Sequence, residues 1–420
     1  TLLAHLTFAA FGADPWALRL PAFVAGVLLA PAGYLAARAL YNQRVGVVAA
    51  ALIAASSPLI EYSTNARGYT LVCLFFLLML AAGAALIERD HPGRWLLWAA
   101  LGALGFYTIP IMLYPFGIAV VWLGLSIAFE LPPAERALRL GSLLLAVGAA
   151  ALLTFVLYLP VFLGSGLDAV VGNRFVASKR WGAFAAELPA SLLSTWRQWN
   201  RDLPPALGAL LLGGFLLALV CHRRLSAHRV AIAWAAALWL APVILLQRVV
   251  PFERVWLFLL PLYFIVAAAG LVHAFGLLKA KTMRPAVVLP VAAVALSLAL
   301  GLGAISTRSV YYSNETGTLR DAEAITLFLR GYLRPGDRLL LGIPSDQPLL
   351  YYFYRYGVTP EYFIAPLSSS RRVLVLVNLS HGQELARLLE RMPFDRSRFG
   401  APKAVRSYDS AVLYQMDRLT

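Results

Sequence analysis

The sequence predicts a mainly α-helical, polytopic transmembrane bundle followed by a C-terminal extracytoplasmic α/β domain. Three observations predict it. Of 420 residues, 60% are hydrophobic and only 14% are charged, against roughly 25% charged in an ordinary soluble domain. The mean hydropathy is +0.72. Apolar runs of about 20 residues recur as far as residue 304, each long enough to cross a hydrocarbon core of roughly 30 Å as a helix. Helices are the expected solution because a bilayer offers no water to satisfy free backbone groups. The runs are continuously apolar, whereas a membrane β-barrel alternates over short segments.

Ten spans are expected, at about 21–40, 45–61, 68–88, 95–109, 110–129, 138–163, 205–221, 229–249, 255–277 and 285–304. The loops between them alternate in basic content. One set carries Arg38 and Arg44, Arg89 and Arg94, Arg136 and Arg139, then Arg223, Arg224 and Arg229, then Lys279, Lys281 and Arg284. The other short loops carry little beyond Arg67, Arg248 and Arg254. Positive charge in short loops marks the cytoplasmic side. One orientation therefore fits every short loop, and it places residues 1–20, 61–68, 164–204 and everything after 305 on the outer face. Within the loop 164–204, Trp181, Trp196 and Trp199 suit an interfacial belt, and a helix along the membrane is expected near 181–200. No internal repeat is visible, so the inverted-repeat pattern of many transporters lacks support.

The chain divides into a transmembrane domain over 1–304 and a soluble domain over 305–420. In the second, 321–333 reads as an amphipathic helix with an acidic start, ended by Pro335-Gly336. Residues 337–343 and 371–378 read as buried strands, 347–356 and 382–392 as helices, and 403–416 as one or two closing strands. This alternation argues a small α/β domain.

Several function classes drop out. The net charge is +15, but the basic residues sit in short loops between spans, so nucleic acid is not an expected partner. Cys73 and Cys221 lie in or at the end of apolar runs and form no disulfide framework or metal motif. Phosphate-binding, dinucleotide-binding, zinc-protease and nucleophile-elbow motifs are all absent. There is no Asp-x-Asp pair to hold a metal against a sugar-nucleotide diphosphate. His5 and His273 are lone histidines in apolar surroundings, better read as packing residues than as ligands. The tripeptides Asn314-Glu315-Thr316 and Asn378-Leu379-Ser380 are glycosylation sequons. An Arg-, Ala- and Leu-rich composition favours a bacterial source, where such sequons are usually idle.

The segment least like membrane filler is 57–70. It gathers Glu61, Tyr62, Asn65, Arg67 and Tyr69 at the ends of two spans. Ionisable residues there tend to face the bundle interior or a water-filled cavity, and an arginine fork suits a phosphate. The competing reading is an interfacial anchor with a snorkelling Arg and a belt Tyr. A second cluster, Pro251–Trp256, opens a later span on the same face, with Arg254 placed for an anionic headgroup. Glu253 beside it offers the alternative of a rim ion pair, worth at most about 1 kcal/mol. In the loop 164–204, Arg174, Lys179, Arg180, Arg197 and Arg201 outnumber Asp168, Glu187 and Asp202, which reads either as a solvated basic loop or as an attractor of anionic lipid.

The order of Trp16-Ala-Leu-Arg-Leu-Pro-Ala-Phe-Val-Ala-Gly26, Tyr34-Leu-Ala-Ala-Arg38 and Ser57-Pro…Tyr62-Ser…Ala66-Arg67-x-Tyr69 resembles the dolichyl-phosphate-mannose–protein mannosyltransferase-like family of GT-C glycosyltransferases. The aminoarabinose-transferase-like enzymes belong to the same group. The resemblance is strongest over residues 1–130 and returns at 251–270. It implies an inverting membrane glycosyltransferase that moves a sugar from a polyprenyl-phosphate donor to a lipid, glycan or protein acceptor at the outer face of the plasma membrane. Such chemistry asks for a carboxylate base and for cations at the departing phosphate.

By the same resemblance, Arg67, Tyr69 and Arg254 are donor-phosphate contacts, with Tyr62 and Asn65 lining the cavity. No cofactor is evident, and a divalent cation is an open question because relatives of the fold differ in needing one. Family members place the acidic base in a first outer loop, expected ahead of Thr1, so the chain looks N-terminally incomplete. Position 65 is Asn where relatives often have Glu; Glu61, one turn earlier, is either a substitute or incidental. The alternatives are a flippase for lipid-linked sugars and a non-catalytic membrane scaffold.

Overall fold

The structure is a computed structural model that describes residues 2–166, 177–277, 285–313, 315, 318–367, 370–391 and 395–419. Asp168, Arg174, Lys279, Lys281, Asn314 and Thr316 lie outside these residues, and of Arg284 nothing is described. The chain forms two compact units, Thr1–Val310 and Tyr311–Thr420.

Among the described residues the first unit is built of helices: α1 (Leu2–Phe11), α2 (Pro15–Leu40), α3 (Gln43–Ala55), α4 (Ser57–Ser63), α5 (Tyr69–Glu88), α6 (Pro92–Thr108), α7 (Leu113–Glu130), α8 (Pro133–Ser165), α9 (Trp181–Asn200), α10 (Pro205–Leu225), α11 (Ile232–Gln247), α12 (Leu259–Leu277) and α13 (Pro285–Thr307). Helix lies at each of the ten expected positions, but not as ten equal spans. Among the described residues seven helices are long and apolar enough to cross a membrane, as an integral membrane protein requires. Helices α6 and α11 fall short of that length, at 17 and 16 residues. Helix α2 starts at Pro15 and runs through Pro21 and Pro31, so its first turns precede the expected 21–40.

The expected span 45–61 is broken. Helices α3 and α4 meet at 61° across Ser56, whose backbone is extended. Pro58 explains the break. It has no N–H to donate, and its ring would collide with the Ala54 carbonyl of a continuous helix, so it begins a new helix instead.

Small residues set how closely the helices approach. A Cβ at Gly270 of α12 would stand 1.8 Å from the Gly214 carbonyl oxygen of α10, so the two backbones touch there. This is how membrane helices pack without a hydrophobic drive between them. A Cβ at Gly26 of α2 would meet the Cβ of Ser63 at 2.3 Å, and Thr70 Oγ1 donates to the Ala22 carbonyl at 3.3 Å. Short α4 is thereby pressed onto α2. At the opposite end of the bundle Glu130 accepts from the Arg229 backbone N–H at 2.7 Å and meets His228 Nδ1 at 3.0 Å, which pins the turn before α11.

The second unit is the expected α/β domain. Strands β1 (Asp337–Leu341), β2 (Arg372–Asn378), β3 (Lys403–Ser407) and β4 (Ala411–Asp417) form one sheet in the order β1-β2-β4-β3. The pair β1–β2 is parallel, with Leu339 opposite Leu374, and the other pairs are antiparallel. Helices α14 (Ala322–Tyr332) and α15 (Asp346–Arg355) cover the face of Leu339, Leu374, Leu376 and Leu413. Helix α16 (Leu385–Arg391) covers the other face, on Leu340, Val373, Val375 and Val377.

Asp337 and Arg372 lock the start of the parallel pair. Arg372 Nε and Nη2 donate to the two carboxylate oxygens at 2.9 and 2.5 Å, and the Arg334 backbone N–H adds a third bond at 2.8 Å. Both side chains are largely buried. Asp337→Ala removes the guanidinium's carboxylate partner and leaves it the Tyr332 carbonyl at 3.1 Å, at an expected cost of about 3 kcal/mol. Limited proteolysis of the full chain should then cut within 311–420 at lower temperature than in the wild type.

Candidate functional site

The break at Ser56 turns α4 so that all but one of its seven residues are buried. Glu61 is fully buried, and its Oε2 pairs with Arg201 Nη2 at 2.5 Å. Arg201 Nε also reaches Asp202 Oδ2 at 3.4 Å. Tyr62, one residue on, packs edge-to-face on Tyr69 with ring centroids 5.6 Å apart. The Asn65 side chain is 8% exposed, and neither its Nδ2 nor its Oδ1 has a hydrogen-bond partner among the described residues. Its carbonyl accepts from the Arg67 backbone N–H at 2.8 Å. Arg67 stands exposed just beyond, and half-buried Tyr69 opens α5.

The second cluster is the turn before α12. Residues Glu253–Trp256 form a short 3-10 helix. The Arg254 guanidinium lies over the Phe252 ring at 4.5 Å. Glu253 accepts a hydrogen bond from Ser194 Oγ, so it is tied to α9.

Helix α9 joins the two clusters. Ser191 Oγ donates to the Pro251 carbonyl at 3.0 Å, Ser194 holds Glu253, and Arg201, at the helix end, holds Glu61. These positions recur on one helix face. Seven residues of helix rise separate Ser194 from Arg201, about 10 Å. Trp196 and Trp199 of the same helix pack on Tyr263 of α12, with ring centroids 5.6 and 6.4 Å away. The helix expected at 181–200 is thus a strut that fixes the 57–69 and 251–256 segments relative to each other.

A cavity of about 10 Å³ sits at the helix break, lined by Ser56, Ser57, Pro58, Trp199, Asp202 and Leu203. That is roughly the room of one water. Ser56 Oγ and Trp199 Nε1 have no partner among the described residues. A larger cavity of about 340 Å³, lined by Asn42, Arg224 and His273 among others, lies at the other end of α3 and contains none of the expected site residues. There His273 is a wall residue, and His5 is exposed, so neither is simply packed in the bundle.

Of the expected residues, Glu61, Tyr62 and Asn65 are buried in one corner with half-buried Tyr69 and exposed Arg67 at its edge, and Arg254 belongs to the second, strut-linked segment. The sequence reading missed Arg201, which stood there as one of several basic loop residues. No local pattern marks it, because its partner lies in a distant span. Ser194 was missed for the same reason. Among the described residues no three His, Cys, Asp or Glu side chains gather as a metal site.

Residues 1–160 match the family model for dolichyl-phosphate-mannose-protein mannosyltransferase. The fold is similar to that of ArnT from Cupriavidus metallidurans in the apo state, with a TM-score of 0.63 and 12% identity over 99% of this chain and 86% of that one. The same protein bound to undecaprenyl phosphate gives 0.58 and 14%, with the same coverage. The fold is GT-C-like. No curated protein sequence matches the chain. In this GT-C frame the family match covers α1 to most of α8 and so includes the 57–69 corner, whereas the strut α9 and the 251–256 turn are placed by fold alone. The family match over residues 1–160 and the ArnT-like fold are both in line with the resemblance read from the sequence.

Proposed function

We propose that the chain transfers a sugar from a polyprenyl-phosphate donor to a lipid, glycan or protein acceptor at the outer face of a bacterial plasma membrane, with inversion at the anomeric carbon. The observation that carries this reading is the strut: α9 ties the two arginine-bearing segments to itself through Ser194–Glu253 and Arg201–Glu61, at anchor points about 10 Å apart along its axis. Arg67 and Arg254 bind the phosphate and stabilise the charge it gains as the anomeric C–O bond breaks. Tyr62 lines the sugar end together with Asn65, whose amide nitrogen and oxygen have no hydrogen-bond partner among the described residues. Glu61 is held by Arg201 and serves to position the strut. The similar fold of ArnT, solved with undecaprenyl phosphate bound, supports a lipid phosphate as the donor's leaving group.

The test is transfer of label from undecaprenyl-phosphate sugars to lipid acceptors by the full chain in proteoliposomes. Arg67→Ala should insert normally yet lose on the order of 10²–10³ in transfer, the effect of removing one donor to a developing anion. Unchanged transfer would sink the role. Translocation of labelled lipid without any glycosyl product would favour the flippase alternative.

A further inference from the structure

The C-terminal unit has a site of its own at the carboxyl edge of β1 and β2. The chain leaves β1 for α15 on one face of the sheet and leaves β2 for α16 on the other. Where neighbouring parallel strands send their helices to opposite faces, a crevice opens outside the strand ends, and open α/β sheets bind ligands there.

The residues at this edge are polar and joined. Asn378 ends β2 fully buried. Its Nδ2 donates to the Thr318 carbonyl at 2.6 Å and to Ser345 Oγ at 2.9 Å, and its backbone N–H donates to Gln383 Oε1 at 3.0 Å. Arg320 Nη2 donates to Ser380 Oγ at 3.1 Å. Asp321 is consumed by Ser410, whose N–H and Oγ both donate to it. The sequon Asn378-Leu379-Ser380 is thus a structural element here, with its amide bonded inside the fold.

Around this network, donors and acceptors are left over. Asn378 Oδ1, Arg320 Nε, Asp346 Oδ1 and His381 Nε2 have no hydrogen-bond partner among the described residues. Buried polar atoms are normally paired, and a cluster of exceptions asks for an explanation. Burial pushes the His381 imidazole pKa down, so its ring is neutral at pH 7 and Nε2 can donate or accept. Beside them Arg320 lies over the rings of Tyr311 and Tyr312, at 5.6 and 5.0 Å. These tyrosines are 55% and 50% exposed.

We propose that this edge binds a saccharide. Sugar hydroxyls both donate and accept, and so match an amide, a guanidinium, a carboxylate and a neutral imidazole together. The exposed tyrosines offer flat apolar faces for the C–H side of a pyranose ring. The mix of Arg320 with the carboxylates of Asp346 and Asp321 argues against a dedicated phosphate or sulfate site. The inference rests on the glycosyltransferase reading only in naming that saccharide as part of the acceptor.

The experiment exposes the purified full chain to an array of neutral and charged oligosaccharides, then titrates the tightest binder. Wild type should capture a neutral glycan, and Asn378→Ala and Arg320→Gln should each weaken it at least tenfold. Asn378→Ala risks the fold, so Arg320→Gln, checked for wild-type thermal unfolding, is decisive. Arg67→Ala should leave glycan binding untouched while losing transfer. No neutral glycan captured by wild type, or wild-type affinity in a folded Arg320→Gln, overturns the site. Glycan capture by a wild-type chain that transfers no sugar would overturn the glycosyltransferase reading and leave this site standing.

Discussion

Arg201→Ala is expected to lower both the stability of the fold and the rate of transfer. The change takes from the fully buried Glu61 carboxylate the guanidinium that stands 2.5 Å from it. Removing one partner of a buried ion pair costs about 3–5 kcal/mol, because the remaining charge loses much of its compensation. The same change frees the end of α9, and with it the spacing between the 57–69 and 251–256 segments. Transfer should therefore fall together with thermal stability. Pairing the change with Glu61→Gln removes the buried charge, so the double variant should regain most of the stability. Transfer should not return, because the strut remains loose. Equal stability of Arg201→Ala and wild type in a thermal melt would show that the pair does not hold the strut.

The second large effect is expected at Gly270. A side chain there begins with a Cβ 1.8 Å from the Gly214 carbonyl oxygen, and backbone cannot swing aside as a flexible side chain would. Gly270→Leu must part α10 from α12, which carries Tyr263 and so the seat of Trp196 and Trp199. The cost should be on the order of 3 kcal/mol or more, at the upper end of overpacking penalties. Gly148→Leu is the matched control, since nothing lies within 4 Å of a Cβ placed there. The Gly270 variant should give little monodisperse protein after solubilisation, and the Gly148 variant a wild-type yield. Similar yields from both would mean that the helix crossing tolerates separation.

How far the sequence revealed this arrangement depends on the range of the physics involved. Helix positions were legible because a run of apolar residues needs no partner to declare itself. The soluble unit was equally legible, since Pro335-Gly336 and the runs at 337–343 and 371–378 carry their own turn and strand signals. The break at Ser56 was written in Pro58, yet hydropathy alone read 45–61 as one span. The two arginine clusters stood out by composition. What joins them did not: the Glu61–Arg201 and Ser194–Glu253 contacts link residues far apart in the chain. Each of those residues looks ordinary among its sequence neighbours. The crevice of the second unit was hidden likewise, since strand order and helix faces decide it, and no motif at Asn378 or Arg320 announces it.

In the proposed reaction Arg67 and Arg254, on the two segments tied to α9, grip a lipid-borne phosphate. Binding of undecaprenyl phosphate to the full chain in detergent, followed by native mass spectrometry, tests it most directly. The account predicts a saturable lipid adduct on wild type that weakens at least tenfold in Arg67→Ala and in Arg254→Ala, with both variants folded. An adduct of equal strength on wild type and both variants, or none on wild type, would contradict it.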